Sequence, residues 1–298
     1  MRQLAILILG CCCLASADFA HAAQSEAENY IAIEALAQQE YDSVRGQLHR
    51  QKAAFWAGEY YEGDHLGFNL RLVMSTQVFA YILYSDVGFL GGGNGFVRQT
   101  PGGIALQFSA EQDFSHRRLL RGELDQTLVP VNWGGRHYFV AQRDFPKLAS
   151  SINHGMEPDE SGGLFLLRMG DEKVVPKSLE GLPDGIRKFV YSAPVVTTVV
   201  SFVKLAPEPK ESVVAPSDRY RLSFDKGSAQ GLVTGIELWI CKPSNKFATV
   251  VLDRVNTDTA SGVYDTVVGN EPLPEKGWVF TTGQYPSPPP CAACSGGQ

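Results

Sequence analysis

Apolar positions along this chain follow two different periods. From Ser25 to about Lys52 they recur at spacings of four and three, at Ile33, Ala37, Tyr41, Val44 and Leu48. That spacing predicts an amphipathic helix, opened by a capping box of Ser25 and Glu28. Beyond Phe55 the period falls to two. Phe68, Leu70, Leu72 and Met74 alternate with Asn69, Arg71 and Val73, the pattern of a strand with one buried face. Val78 to Tyr84 is more uniformly apolar and predicts a strand buried on both faces or set in a barrel wall. Together with the run ending at Phe108, these segments read as an antiparallel meander or half-open barrel. Gly91-Gly92-Gly93-Asn94-Gly95 reads as a mobile turn, because glycine and asparagine tolerate positive φ.

The later elements follow from turn chemistry. The segment LVPVNWGGRHYFVA predicts a hairpin closed by Gly134-Gly135. Asp144 is positioned to cap a short helix running to about Asn153, with Gly155 as its stop. GLFLLRM and KVV predict a hairpin around Gly170-Asp171, and IRKFVYS and VVTTVVSFVKL add strand material. Residues 206–217 carry three prolines and mixed charge and mark a linker between domains. Past it, five short runs punctuated by glycine predict a small β-barrel over 218–283. The expected organisation is therefore mainly β. It comprises a leader at 1–22, a helix plus antiparallel β domain at 23–205, the linker, the small barrel, and a disordered Pro/Gly/Cys tail at 284–298.

The second β region carries a resemblance. Asp225-x-Gly227, Gly231, Gly235-Ile236, Val250, Val255 and Gly277-Trp278-Val279 resemble the small β-barrel modules of periplasmic rod-shape-determining and flagellar-assembly proteins of bacteria. The likeness covers the last quarter of the chain and implies a β-barrel fold with no catalytic residues. Those modules carry Gly-Asp where this chain has Gly277-Trp278. Further upstream, WxGEYYxGDxxGxNLxL followed by VPVxWGxRxYF resembles an uncharacterised family of exported bacterial proteins, which implies export and no particular activity.

The first 22 residues support the same compartment. Arg2 precedes the apolar run LAILILGCCCLA, and small residues then end in Ala20-His21-Ala22, the pattern of a signal peptidase site with cleavage after Ala22. Ile8-Leu9-Gly10-Cys11 resembles the box ahead of a lipidated cysteine, and lipid anchoring at Cys11 is the alternative to cleavage. The apolar run is too short to span a bilayer, so no integral membrane segment is expected in the mature chain. Cleavage removes Arg2 and Asp18 and leaves the formal charge at −6. An acidic chain without clustered Lys/Arg argues against nucleic acid as a partner. Three of the six cysteines fall in the leader, leaving Cys241, Cys291 and Cys294. The pair Cys291 and Cys294 has the spacing of a disulfide or metal pair, and its Pro/Gly surroundings favour a tail disulfide or idle thiols.

Candidate chemistry is sparse. Glu59, Asp64 and His65 surround one turn, where a carboxylate can orient an imidazole for general-base work in an exported hydrolase. His154 follows a helix whose C-terminal dipole favours imidazolium. His65, His116, His137 and His154 lack the close spacing of a metal site, and the sequence calls for no cofactor. No Gly-x-Ser-x-Gly elbow occurs. The aromatics Trp56, Tyr60, Tyr61, Tyr81 and Tyr84 sit in or beside alternating strands, where they line either a core or the mouth of a ligand-holding barrel. The expected role is therefore non-catalytic binding or scaffolding in a bacterial envelope, in the periplasm or outside the cell, with an envelope protein as partner. A small-ligand carrier and the hydrolase are the alternatives.

Overall fold

A computed structural model describes residues 30–50, 54–63, 67, 69–86, 88–109, 124, 127–158, 165–176, 178–206, 217–243, 248–267 and 273–285. The leader, Cys11, Asp64, His65, Cys291 and Cys294 lie outside the described residues. Among the described residues, fourteen strands form two closed antiparallel sheets. In the first, β1 (Gly58–Glu62), β2 (Asn69–Met74), β3 (Val78–Ser85), β4 (Gly88–Thr100), β5 (Gly103–Phe108), β6 (Thr127–Trp133), β7 (Arg136–Ala141) and β8 (Phe165–Arg168) follow one another in chain order. By internal contacts the chain divides into Met1–Pro130 with Leu166–Lys173, and Val131–Phe165 with Val174–Gln298.

In the first unit, helix α1 covers residues 30–50. Its stripe performs as the periodicity predicts. Ala37, Tyr41 and Val44 are buried against Val73, Ala80, Ile82 and Phe89, with Ile33 and Leu48 packed at the edges. Burying a valine-sized side chain contributes about 2 kcal/mol, so Tyr41 and Val44 supply most of the packing that holds a helix marginal alone. Residues directly opposite in the ladder share a face, so Val73, Ala80 and Asn94 form one row under α1. Leu72, Tyr81 and Gly93 form the neighbouring row on the other face, and Tyr60 stands beside Leu72 in it.

Gly91 to Gly95, expected as a mobile turn, instead lie inside β4, and none of the four glycines takes a positive φ. Close approach explains them better than turn geometry does. A Cβ on Gly92 would fall 2.7 Å from Ala37 Cβ, and one on Gly93 would fall 2.9 Å from the Tyr81 ring. The glycines let α1 approach one face of the sheet while large aromatics fill the other.

In the second unit, β6 and β7 meet at the expected hairpin turn, with φ of 55° at Gly134 and 100° at Gly135. Helix α2 (Phe145–His154) follows a 3-10 turn at Gln142–Asp144. Gly155 ends it in the left-handed conformation, as expected, its N–H bonded to the Ile152 and Ser151 carbonyls. Asp144 makes no capping hydrogen bond. Its backbone, at φ −94° and ψ 3°, is not the extended conformation of a capping residue, and its carboxylate lies near Arg143 and Lys147 instead. Two strand expectations also fail. KVV is irregular, and IRKFVYS begins in the short helix α3 (Asp184–Arg187), whose spacing buries Ile186 and Phe189 together.

The second sheet orders its strands β10-β13-β12-β11-β14-β9. These are β9 (Val196–Lys204), β10 (Ser217–Phe224), β11 (Glu237–Lys242), β12 (Thr249–Val255), β13 (Ala260–Val267) and β14 (Val279–Thr281). Strand β9, expected in the first domain, pairs with β10 and β14. The proline-rich 206–217 segment therefore connects adjacent strands of one sheet; 207–216 lie outside the described residues. Leu222, Phe224, Leu238, Val250, Leu252 and Phe280 fill the core. The glycines of the second region have local causes. Gly231, Gly235 and Gly277 have φ near 90°, whereas Gly227 is pressed against the Asn256 and Thr257 carbonyls. Asp225 accepts hydrogen bonds from Thr197 Oγ1 at 2.9 Å and the Thr198 N–H at 2.8 Å, tying this turn to β9. The expected tail starts later than 284, since the Gln284 and Tyr285 N–H groups donate to the Asn153 and Tyr191 carbonyls.

Candidate functional site

Of the acidic turn, Glu59 is among the described residues, whereas Asp64 and His65 lie outside them. Glu59 lies on β1 and faces α1. Its Oε1 accepts Arg45 Nε at 2.9 Å and its Oε2 accepts the Tyr41 hydroxyl at 3.3 Å. Burial pushes the Tyr41 phenol up to about 12; the nearby Arg71 guanidinium opposes that rise and Glu59 adds to it. Glu59 thus anchors the helix. Glu59→Gln is expected to change stability by less than about 1 kcal/mol, because Arg45 is half exposed and such pairs are screened by water. Chemical denaturation of the two proteins checks this.

Trp56 is buried, and the four tyrosines separate onto the two faces of the sheet. Tyr60 and Tyr81 are buried in the row that includes Leu72, and Phe79 and Phe108 meet edge to face nearby. Tyr81 also meets Phe108 edge to face. Tyr60 donates to the Trp56 carbonyl at 2.7 Å, and burial raises its pKa. Tyr61 and Tyr84 point to the other face. Tyr61 donates to Asn69 Oδ1, and Tyr84 donates to Glu34 on α1 at 3.3 Å. The interior rings are core residues, and the two outer ones make polar contacts, Tyr61 with β2 and Tyr84 with α1.

A concave site lies where α1 crosses β3 and β4. Glu40, Ser43, Val44 and Gln47 of α1 face Val78, Asn94 and Phe96, with Ser109 at one end, around an open groove of about 210 Å³. Asn94 donates a side-chain hydrogen bond to the Glu40 carboxylate. Burial raises the Glu40 pKa, and that hydrogen bond partly offsets the rise. Phe96 stands 61% exposed at the rim. In the sequence Phe96 reads as one of the aromatics in or beside alternating strands, but Glu40 and Asn94 do not stand out as site residues. Glu40 reads as a polar position between two core residues of the helix, and Asn94 was absorbed into a supposed turn.

A second polar cluster lies in the other unit. Ser150, fully buried on α2, donates to Glu237 Oε2 at 3.0 Å, and Trp239 Nε1 donates to Ser150 Oγ and to Glu237, each at 3.1 Å. His154 stacks on Trp239 with ring centroids 4.5 Å apart. Its Nδ1 lies 2.9 Å from the Ser150 carbonyl, so the neutral ring carries its proton there and donates it. The helix dipole was expected to favour imidazolium; burial overrides it and lowers the pKa, with the Ser150 carbonyl and Glu237 opposing. Ser150 is sealed from solvent, so the group latches α2 to β11 rather than presenting a nucleophile. The i, i+4 spacing of Ser150 and His154 was visible in the sequence; their meeting with β11 was not.

The His154 shift gives a signed pH dependence. A histidine whose folded pKa lies below its ordinary 6.5 binds its proton first in the unfolded chain. Its contribution is complete above 6.5 and declines as pH falls through that value towards the lower folded one. Urea midpoints followed downward from neutral pH should fall more steeply for the wild type than for His154→Phe, which keeps a ring on Trp239.

Among the described residues no three His, Cys, Asp or Glu side chains are placed to hold a metal ion, and no helix is long and apolar enough to cross a membrane. Comparisons with family models, curated proteins and solved structures found no match. The functional reading therefore rests on geometry and sequence pattern.

Proposed function

We propose that this protein is a non-catalytic binding or scaffolding component of a bacterial cell envelope, exported through its N-terminal leader, with a protein as its partner. The observation that carries this reading is the groove between α1 and β4, a concave surface with a carboxylate, an amide and an exposed ring. Two further features support it. The Glu59 carboxylate is engaged in holding α1, and the interior aromatics are packed as core. Export is supported by the leader pattern and by the resemblance of the second barrel to envelope modules.

Cross-linking in intact bacteria, followed by purification of the adducts and mass spectrometry, tests the proposal. A defined envelope protein in stoichiometric adducts is expected. Recovery of lipid or glycan alone would contradict it in favour of a carrier. Turnover of an ester or glycoside substrate that is abolished by Glu59→Gln would contradict it in favour of a hydrolase.

A further inference from the structure

We infer that residues 283–285 form a strap across the C-terminal end of α2, and that a proton on His154 releases it while the second barrel stays folded. The strap hangs from an anchor at Thr282. The Thr282 N–H donates to the Val195 carbonyl at 3.1 Å, and the Thr282 hydroxyl accepts from the Val195 N–H at 3.1 Å. Beyond that anchor the Gln284 N–H donates to the Asn153 carbonyl at 2.9 Å, and the Tyr285 N–H to the Tyr191 carbonyl at 2.7 Å. Gly283 lies between, with φ of 65°, and a Cβ there would fall 2.7 Å from the Asn153 carbonyl oxygen and 3.0 Å from His154 Cδ2. Bare backbone therefore passes against the edge of the imidazole, an approach that a side chain would block. The surface beneath is fixed separately. Buried Asn153 donates from Nδ2 to the Phe189 carbonyl at 2.9 Å and accepts the Tyr191 N–H on Oδ1 at 3.0 Å.

The site suits a neutral His154 and not a charged one. Nδ1 donates to the Ser150 carbonyl, whereas Nε2 is buried with no hydrogen-bond partner. A proton on Nε2 creates a donor and a charge where no acceptor receives them, and a buried unpaired charge costs far more than an unfilled lone pair. The surrounding elements compensate only in part. From β11 comes Glu237, the charged group acting on the ring, but its Oε2 already accepts from Ser150 and Trp239. Residues 189–191 bring Tyr191, whose hydroxyl donates to the Gly231 carbonyl and which burial pushes up to about 12, so it stays neutral. The strap brings Tyr285 and its own backbone. Burial outweighs the Ser150 carbonyl and Glu237, and the closed form holds the second proton more weakly than an ordinary histidine. Withdrawing the strap gives the ring water at the loss of the Gln284 and Tyr285 backbone hydrogen bonds, whereas moving α2 would also break the Asn153 and Ser150 networks. A hydrated imidazole titrates near 6.5. Opening therefore grows as pH falls below that value, about tenfold per pH unit, until the lower closed-form value is reached.

The test is amide hydrogen exchange of the full protein from neutral pH down to about pH 5, read residue by residue by NMR and corrected for the intrinsic pH dependence of exchange. Protection at Gln284 and Tyr285 is expected to fall about tenfold or more. Leu252, whose N–H donates to the Ile236 carbonyl inside the barrel, should keep its protection. In His154→Phe, which retains a ring on Trp239 and cannot titrate, strap protection should not change with pH. The midpoint of strap opening in the wild type should coincide with the titration of the His154 ring resonances, a comparison that needs no variant. Unchanged protection of Gln284 and Tyr285, a parallel loss at Leu252, the same loss in His154→Phe, or a midpoint apart from the His154 titration would each overturn the inference.

Discussion

Replacing Gly95 with alanine is expected to lower unfolding stability by about 2–3 kcal/mol, the range for forcing extra volume into a filled site. The added methyl would lie 2.8 Å from Phe79 Cε1 and closer still to the Gln107 carbonyl oxygen, which belongs to the neighbouring strand and has no free rotamer. The strand must shift to admit it, and Asn94, which holds Glu40, is the next residue along. Gly102→Ala is the control. Its Cβ would meet only the Thr127 methyl at 3.9 Å, so that change should be neutral or slightly stabilising. Denaturation midpoints of the two variants should therefore move far apart. Equal behaviour would mean that the glycines of β4 are not needed for close approach.

Phe79→Ala should cost more, about 3–5 kcal/mol, as the loss of a fully buried aromatic does. The ring packs edge to face on Phe108 and shares its row with Met74 and Gly95. This substitution also bears on the carrier alternative. A ring lining a ligand cavity loses little stability on truncation because it has solvent on one side. A ring in a filled core leaves a void that its neighbours cannot close. A loss below about 1 kcal/mol would contradict the core assignment.

The parts of this fold legible in the sequence are those in which local pattern and tertiary environment agree. The α1 stripe is one case, because the face its spacing selects is the face that β2, β3 and β4 cover. The Gly134-Gly135 hairpin is another, since both residues require positive φ and glycine alone supplies it freely. Reading failed where a residue's cause lay across the sheet. Gly92 and Gly95 look like turn residues until Ala37 and Gln107 are placed beside them. IRKFVYS looks like a strand by composition, yet Pro183 and Asp184 open a helical turn that buries Ile186 and Phe189 on one side. The run 206–217 has linker composition, and composition cannot tell an interdomain link from a connection between paired strands.

The candidate site was less legible than the fold, for the same physical reason. Glu59 was singled out because His65 is near it in sequence, but its partner Arg45 is supplied by the helix. Glu40 drew no attention because an acidic residue on a helix is ordinarily solvated, and its environment comes from Asn94, more than fifty positions away. Likewise the Ser150–Glu237–Trp239 network joins a helix to a strand remote in sequence.

The central claim, that the α1–β4 groove docks a partner protein, is tested most directly by a photo-reactive amino acid placed at position 96 in intact cells. Position 251, a comparably exposed apolar residue of the second barrel, serves as the control. A single protein adduct is expected from position 96 and none from position 251. No protein adduct at position 96, or the same adduct from both positions, would count against it.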